Sequence, residues 1–115
     1  MQSPVSKRVL KEDKAEIMVE MLTQAVSGGE GKFAVLEDYK VAGKTGTAQI
    51  PIEGRYDPTK TNATFMGFLP NSRKFAMLLK LEQPASSNWA SETAEPLWME
   101  IASDLAHYYG TKPDF

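Results

Sequence analysis

Two stretches of the chain place apolar residues at the three- and four-residue spacing of an amphipathic helix. The first runs from Asp13 to Val26, with Asp13 as the expected N-cap and Gly28-Gly29 as the expected left-handed stop. The second begins near Ala94 and accommodates Pro96 in its first turn, where a missing N–H costs nothing. Its apolar positions are Ala94, Trp98, Ile101, Ala102, Leu105 and Tyr109.

Three strands are predicted between these helices. One opens at Tyr39, after a glycine-containing loop at residues 28–38, and continues to Ile50; the others are the apolar runs 65–69 and 75–81, joined across residues 70–73 as in a hairpin. The 75–81 run is apolar on both faces, so we expect both to be covered. Residues 51–61 are interpreted as a polar excursion and residues 83–91 as a loop. The order predicts an α+β fold, a three-stranded antiparallel sheet flanked by an N-terminal and a C-terminal helix.

Composition narrows the function classes. The 115 residues, 42% hydrophobic, fit one domain, and a net charge of −2 with scattered Lys and Arg argues against nucleic acid as a partner. The chain has no cysteine and a single histidine, which excludes thiolate chemistry and a multi-histidine metal site. No apolar run approaches the roughly 18 residues that span a bilayer, and the N-terminus lacks a signal-peptide core, so the chain as given is expected to be soluble.

One strand segment carries the candidate chemistry, the residues from Val41 to Gln49. Period-two alternation puts Thr45 and Thr47 on one face and Lys44 and Gly46 on the other. On an edge strand, two hydroxyls, the neighbouring N–H groups and an ammonium form a donor row suited to a carboxylate or an oxyanion. Gly46 lets other groups approach the strand closely. The alternative from spacing alone is a solvated strand with two threonines and a lysine.

A phosphate-binding loop is a second alternative for Gly43-Lys44-Thr45. That motif requires glycine where this chain has Asp38, and a helix beginning at Lys44. The acidic side chain has the wrong sign for a phosphate cradle, and the residues after Thr47 show no helical onset. This interpretation is disfavoured.

The tetrad Lys44-Thr45-Gly46-Thr47 resembles the K-T-G-T motif of penicillin-binding proteins. Residues 39–43, residues 65–70 and the closing Thr93-Ala94-Glu95-Pro96 helix are similar to class B, monofunctional peptidoglycan transpeptidases. The resemblance runs from about Val9 to Lys112. It implies that residues 1–115 are one partial domain, the C-terminal segment of a transpeptidase domain, and that Met1 begins a fragment.

The resemblance also implies roles for the tetrad. Lys44 would act in catalysis and attract the substrate carboxylate, and the Thr47 N–H would be one of two oxyanion donors. Lys44, Thr45, Gly46 and Thr47 would together bind the D-Ala-D-Ala stem peptide or a β-lactam. No metal or organic cofactor is implied.

The family's nucleophile motifs are missing from this chain. No serine is followed by lysine at the third position, as S-x-x-K requires, and Ser86-Ser87-Asn88 has the S-x-N letters but lies after the K-T-G strand. We therefore expect the chain alone to be inactive and the parent enzyme to be a serine D,D-transpeptidase, anchored in the cytoplasmic membrane with this domain outside. The alternative is a stand-alone binding or scaffolding module without catalysis. Partners would be the remainder of the domain or, through uncovered apolar surface, another copy of the chain.

Other residues receive weaker interpretations. Gln49 continues the motif but is expected mainly to pair within the sheet, and Arg55 and Tyr56 either overhang the cleft or lie free of it. Trp89 either recognises a ligand or, as expected, anchors its loop onto the core. His107 is placed on the surface near a helix end, and Trp98 in the core.

Overall fold

A computed structural model describes residues 4–29 and 36–115. The elements are helix α1 (Glu12–Ser27), strands β1 (Ala42–Ile52), β2 (Arg55–Phe68) and β3 (Ala76–Glu82), and helix α2 (Ala94–Tyr108), which a short 3-10 turn (Ala90–Glu92) precedes. The predicted α+β order of helix, three strands and helix is confirmed. Part of the predicted 28–38 loop, residues 30–35, and the start of the chain, residues 1–3, lie outside the described residues.

The three strands form one antiparallel sheet in the order β1-β2-β3. Cross-strand pairing aligns Thr45 with Phe65 and Phe65 with Leu79, while the next row aligns Lys44, Met66 and Leu78. Because side chains alternate across a sheet, these two rows lie on opposite faces. The predicted separation of Thr45 and Thr47 from Lys44 and Gly46 is therefore confirmed, and β1 is an edge strand of this sheet.

The predicted polar excursion at residues 51–61 is wrong, because the chain there extends the β1–β2 hairpin. Glu53 and Gly54 both have positive φ, 51° and 77°, as a tight two-residue hairpin turn requires. The register shifts between Gln49 and Ile50, so residues 58–60 form a bulge on β2. Pro51 and Pro58 did not break the strands because an edge strand and a bulge both tolerate proline.

One face of the sheet carries the core, which α2 covers. Trp98 is fully buried, stacks edge-on against Phe65 with ring centroids 5.1 Å apart, and donates its indole N–H to the Met77 carbonyl at 2.9 Å. Gly67 makes this approach feasible, since a Cβ there would lie 3.0 Å from the Trp98 ring and 2.8 Å from Phe65. The prediction that Trp98 belongs to the core is confirmed.

The opposite face of the sheet is open in the described chain, so the expectation that β3 is covered on both faces is wrong. Leu78 is 63% exposed and Met66 is 54% exposed, although both are large and apolar. Along β3, exposed residues alternate with half-buried ones. The sequence pattern correctly predicted that β3 is apolar on both faces, but within the described chain only the face under α2 is covered.

Both predicted ends of the first helix need correction. The N-cap is Lys11, and Asp13 lies within the first turn, where its charge suits the helix dipole. Gly28 has φ of −117° and continues the helical hydrogen bonding to Gln24, so no left-handed stop forms at this residue. Beyond α2, by contrast, Gly110 does adopt a left-handed conformation, with φ of 60°.

Helix α1 is tied to the turn between β2 and β3 by a bidentate ion pair. The Arg73 guanidinium donates to both carboxylate oxygens of Glu16, at 2.8 and 2.9 Å. This contact holds the pKa of the Glu16 carboxyl below its ordinary value. Across the described ranges, neither helix is long and apolar enough to cross a membrane.

Candidate functional site

The K-T-G-T residues lie in the middle of edge strand β1, which has β2 on one side of its backbone. The Lys44 ammonium lies 3.3 Å from the Thr45 hydroxyl oxygen and donates to it around the strand edge. Lys44 and Thr47 are exposed and Thr45 is half-buried. The alternative of a phosphate-binding loop is excluded, since no helix begins at Lys44.

Gly46 leaves space for the side chain of Thr64, its cross-strand neighbour on β2. A Cβ at residue 46 would lie 2.5 Å from the Thr64 hydroxyl oxygen, and that hydroxyl donates to the Gly46 carbonyl at 3.3 Å. A larger residue would force the Thr64 hydroxyl to move and to give up this hydrogen bond. Gly46 therefore permits the hydrogen bond between the Thr64 hydroxyl and its own carbonyl.

Thr47 contacts a part of the chain that sequence reasoning did not connect to it. Its hydroxyl oxygen accepts the backbone N–H of Ala90 at 3.1 Å, across 43 positions of sequence. The Thr61 hydroxyl in turn donates to the Asn88 carbonyl at 2.8 Å. Neither contact has a local sequence signal, because each depends on how the chain before α2 returns to the sheet.

A cleft of about 590 Å³ opens beside Thr47. The strand side is formed by Thr47, Ala48 and Gln49, and the remaining lining residues are Tyr56, Pro58, Thr61, Asn88 and Trp89. Gln49 thus pairs with Thr61 in the sheet and also borders the cleft. Arg55 is exposed and is not among the lining residues.

Trp89 is 63% exposed at the cleft, so the prediction that it anchors its loop in the core is wrong. Its loop is held by other bonds: the Ser87 hydroxyl donates to the Glu92 carboxylate and accepts the Trp89 N–H, and the Thr93 hydroxyl donates to the Trp89 carbonyl. The S-x-N letters in residues 86–88 therefore form part of a loop network. His107 is exposed in the last turn of α2, as predicted.

Electrostatics differ between the two ends of the segment. Among the residues that the structure describes, no charged side chain lines the cleft beyond Thr47. Asp57, near the bulge, accepts the side-chain and backbone donors of Thr59, and these bonds lower the pKa of the Asp57 carboxyl. At the other end, Lys44 borders a cavity of about 230 Å³ that also contains the fully buried Glu95.

An exposed lysine and two threonines thus lie on an edge strand, with Thr47 beside a cleft, and comparison with known proteins identifies the family. The family model "Penicillin binding protein transpeptidase domain" matches residues 1–104. The chain belongs to this family, as its K-T-G-T motif predicted.

Individual relatives show which penicillin-binding proteins the chain is similar to. The chain is 31% identical over 114 residues to the probable peptidoglycan D,D-transpeptidase PenA of Neisseria flavescens, covering 96% of this chain and 28% of that protein. It is 30% identical to stage V sporulation protein D of Bacillus subtilis, covering 97% of this chain and 18% of that protein. The chain is thus homologous to peptidoglycan D,D-transpeptidases of class B and spans under a third of these relatives.

Solved structures agree with the fold. The transpeptidase domain of penicillin-binding protein 3 from Burkholderia pseudomallei matches with a TM-score of 0.86 and 26% identity, over 99% of this chain and 35% of that chain. Penicillin-binding protein 3 of Mycobacterium tuberculosis in complex with ampicillin matches with a TM-score of 0.80 and 28% identity, over 98% of this chain and 28% of that chain. The sheet and helices described above are therefore part of the penicillin-binding transpeptidase fold.

Proposed function

We propose that this chain is the C-terminal segment of a peptidoglycan D,D-transpeptidase domain and forms the substrate-binding wall of its active site. The observation that carries the proposal is that Lys44, Thr45, Gly46 and Thr47 are consecutive residues of an edge strand, with Thr47 beside an open cleft, while Lys44 and Thr45 border a smaller cavity. In this account the strand binds the D-Ala-D-Ala stem peptide of peptidoglycan, or a β-lactam. The serine nucleophile and its lysine base come from the remainder of the domain.

The reaction of the assembled domain is acyl transfer through a serine ester. The serine oxygen attacks the carbonyl of the penultimate D-Ala, the bond to the terminal D-Ala breaks, and that residue leaves with a proton on its amine. An amine of a neighbouring stem peptide then attacks the ester and regenerates the serine hydroxyl. With a β-lactam, the same attack opens the lactam ring and leaves a stable acyl-enzyme.

Each strand residue has a distinct part in this reaction. The Lys44 ammonium attracts the carboxylate of the ligand and stabilises it beside the strand edge. The Thr45 and Thr47 hydroxyls orient that carboxylate by hydrogen bonding, and the Thr47 N–H stabilises the oxyanion that forms when the carbonyl is attacked. Gly46 leaves room for the Thr64 hydroxyl, which donates to the Gly46 carbonyl and helps to hold this part of the strand in position. Thr47 also borders the uncharged cleft, which accommodates the part of the ligand beyond its carboxylate.

A matched pair of variants tests this role in the full-length protein that contains the chain. Thr47→Val removes the hydroxyl and keeps the side-chain shape, while Thr47→Ser keeps the hydroxyl. A hydrogen bond to a charged group contributes about 1.5–3 kcal/mol, so Thr47→Val should slow acylation by a fluorescent penicillin about 10- to 100-fold. Thr47→Ser should retain most of the rate. Equal rates for the valine variant and the unmodified protein would contradict the assignment.

A further inference from the structure

The hydrogen bond that Thr47 receives restricts what its hydroxyl can offer a ligand. A threonine hydroxyl has one proton and two lone pairs. Because the Ala90 N–H donates to the Thr47 oxygen at 3.1 Å, the hydroxyl proton is directed away from Ala90. Thr47 borders the cleft, so its hydroxyl is available there as a hydrogen-bond donor. The matching ligand atom is an acceptor, such as a carboxylate oxygen.

The position of Ala90 depends on a second threonine, Thr61 of β2. Thr61 is only 3% exposed, and its hydroxyl donates to the Asn88 carbonyl at 2.8 Å. Its carbonyl also accepts the N–H of Gln83 at 2.9 Å. One buried residue therefore holds the segment between β3 and α2 at two points.

Internal hydrogen bonds make the segment from Ser87 to Thr93 rigid, so the position of Asn88 determines the position of Ala90. The Thr93 hydroxyl donates to the Trp89 carbonyl at 2.8 Å, and the Glu92 N–H donates to the same carbonyl at 3.1 Å. Ala90, 1% exposed, lies inside this turn. A shift of Asn88 would therefore move the Ala90 N–H away from Thr47.

We propose that Thr61 is a positioning residue for the Thr47 hydroxyl. Through Asn88 and Ala90 it fixes that hydroxyl as a donor toward the cleft, so the site selects a ligand with an acceptor oxygen at this point. The inference rests on the proposed function, which assigns Thr47 to the ligand carboxylate. Thr61 itself acts through the loop and donates its own hydroxyl to Asn88.

The first test uses the 115-residue chain and needs no ligand. Amide hydrogen exchange followed by nuclear magnetic resonance reports whether the Ala90 N–H is bonded. Thr61→Val removes the donor with little change in shape and should speed exchange at Ala90 about tenfold, whereas Thr61→Ser should retain the protection of the unmodified chain. Thr23→Val is the control, because Thr23 donates to a backbone carbonyl within α1, away from the cleft. Unchanged protection of Ala90 in Thr61→Val would overturn the proposal.

The second test measures acylation of the full-length protein by a fluorescent penicillin. Thr61→Val should slow acylation about five- to tenfold, and Thr61→Ser should restore it. In the Thr47→Val background, Thr61→Val should have no further effect, because the group that it positions is gone. Independent, multiplying effects of the two substitutions would overturn the proposal.

The two tests separate the inference from the proposed function. If the unmodified full-length protein is not acylated, the proposed function fails, and exchange at Ala90 still decides whether Thr61 positions Thr47. If acylation occurs but depends on Thr61 independently of Thr47, the proposed function stands and the positioning role fails.

Discussion

At the scale of single residues, Lys44 separates the proposed site from a merely solvated strand. Lys44 is exposed, and its ammonium lies 3.3 Å from the Thr45 hydroxyl oxygen, so the charge and the hydroxyl lie next to each other at the strand. If Lys44 binds the ligand carboxylate, ligand binding should depend on the charge of its side chain. If Lys44 is only a solvated strand residue, removing that charge should leave ligand binding unchanged. Charge and side-chain length can be varied separately at this residue.

Lys44→Met keeps the length of the side chain and removes its charge, and Lys44→Arg keeps the charge. In the full-length protein, Lys44→Met should slow acylation by a penicillin about 10- to 100-fold and flatten its dependence on ionic strength. Lys44→Arg should retain part of the rate. Lys80→Met is the control, since Lys80 lies on the same open face, on β3, and pairs with Glu82. Equal losses at residues 44 and 80 would contradict a specific role for Lys44.

At the scale of elements, close packing of β1 on β2 positions the K-T-G-T segment. A Cβ at residue 43 would lie 2.6 Å from the Phe65 ring and 2.7 Å from the Met66 carbonyl oxygen. The backbone carbonyl cannot move without breaking the ladder, so the strand needs glycine immediately before Lys44. At Gly28, by contrast, a Cβ would make an ordinary contact of 3.5 Å with the Gln24 carbonyl.

Gly43→Ala should therefore lower the free energy of unfolding of the chain by about 1–3 kcal/mol. Gly28→Ala, whose backbone already has a φ that alanine tolerates, should raise it by about 0.4–1 kcal/mol. Urea denaturation of the two variants and the unmodified chain measures both changes. A neutral Gly43→Ala would mean that β1 and β2 are packed less tightly than described.

Local patterns predicted the type and order of the elements but not all of their limits. The helical spacing around Trp98 and the alternation through Thr45 and Thr47 are local properties, and both predictions were confirmed. The extension of the hairpin was missed because Pro51 and Pro58 suggested a loop. These prolines are tolerated because one lies on an edge strand and the other in a bulge, and both features become known only from the strand pairing. The Ala90–Thr47 bond was missed for the same reason, since it joins residues 43 positions apart.

At the scale of the whole molecule, the open sheet face exposes large apolar side chains to solvent. Met66 and Leu78 are neighbours across β2 and β3 and are both more than half exposed. In the proposed function, the remainder of the domain covers this face. When the 115-residue chain is alone in solution, the same surface should favour association between copies.

The chain alone should show an apparent mass that rises with concentration in sedimentation experiments. Replacing both apolar residues, in the double variant Met66→Lys and Leu78→Lys, should give a monomer with an unchanged circular dichroism spectrum. Lysine on an exposed face costs little stability, whereas it opposes association through charge repulsion. A chain that is already a monomer at every concentration would instead favour a finished binding module.

The central claim is that these residues form the substrate-binding wall of an active site and that the serine nucleophile of this site lies elsewhere in the protein. Mapping of the penicillin adduct tests this claim most directly. The 115-residue chain and the full-length protein are each treated with a penicillin, and mass spectrometry of their peptides locates the adduct. We predict no adduct on the chain alone and, in the full-length protein, one adduct on a serine outside these 115 residues. An adduct on a serine within the chain, such as Ser86 or Ser87, would contradict the account.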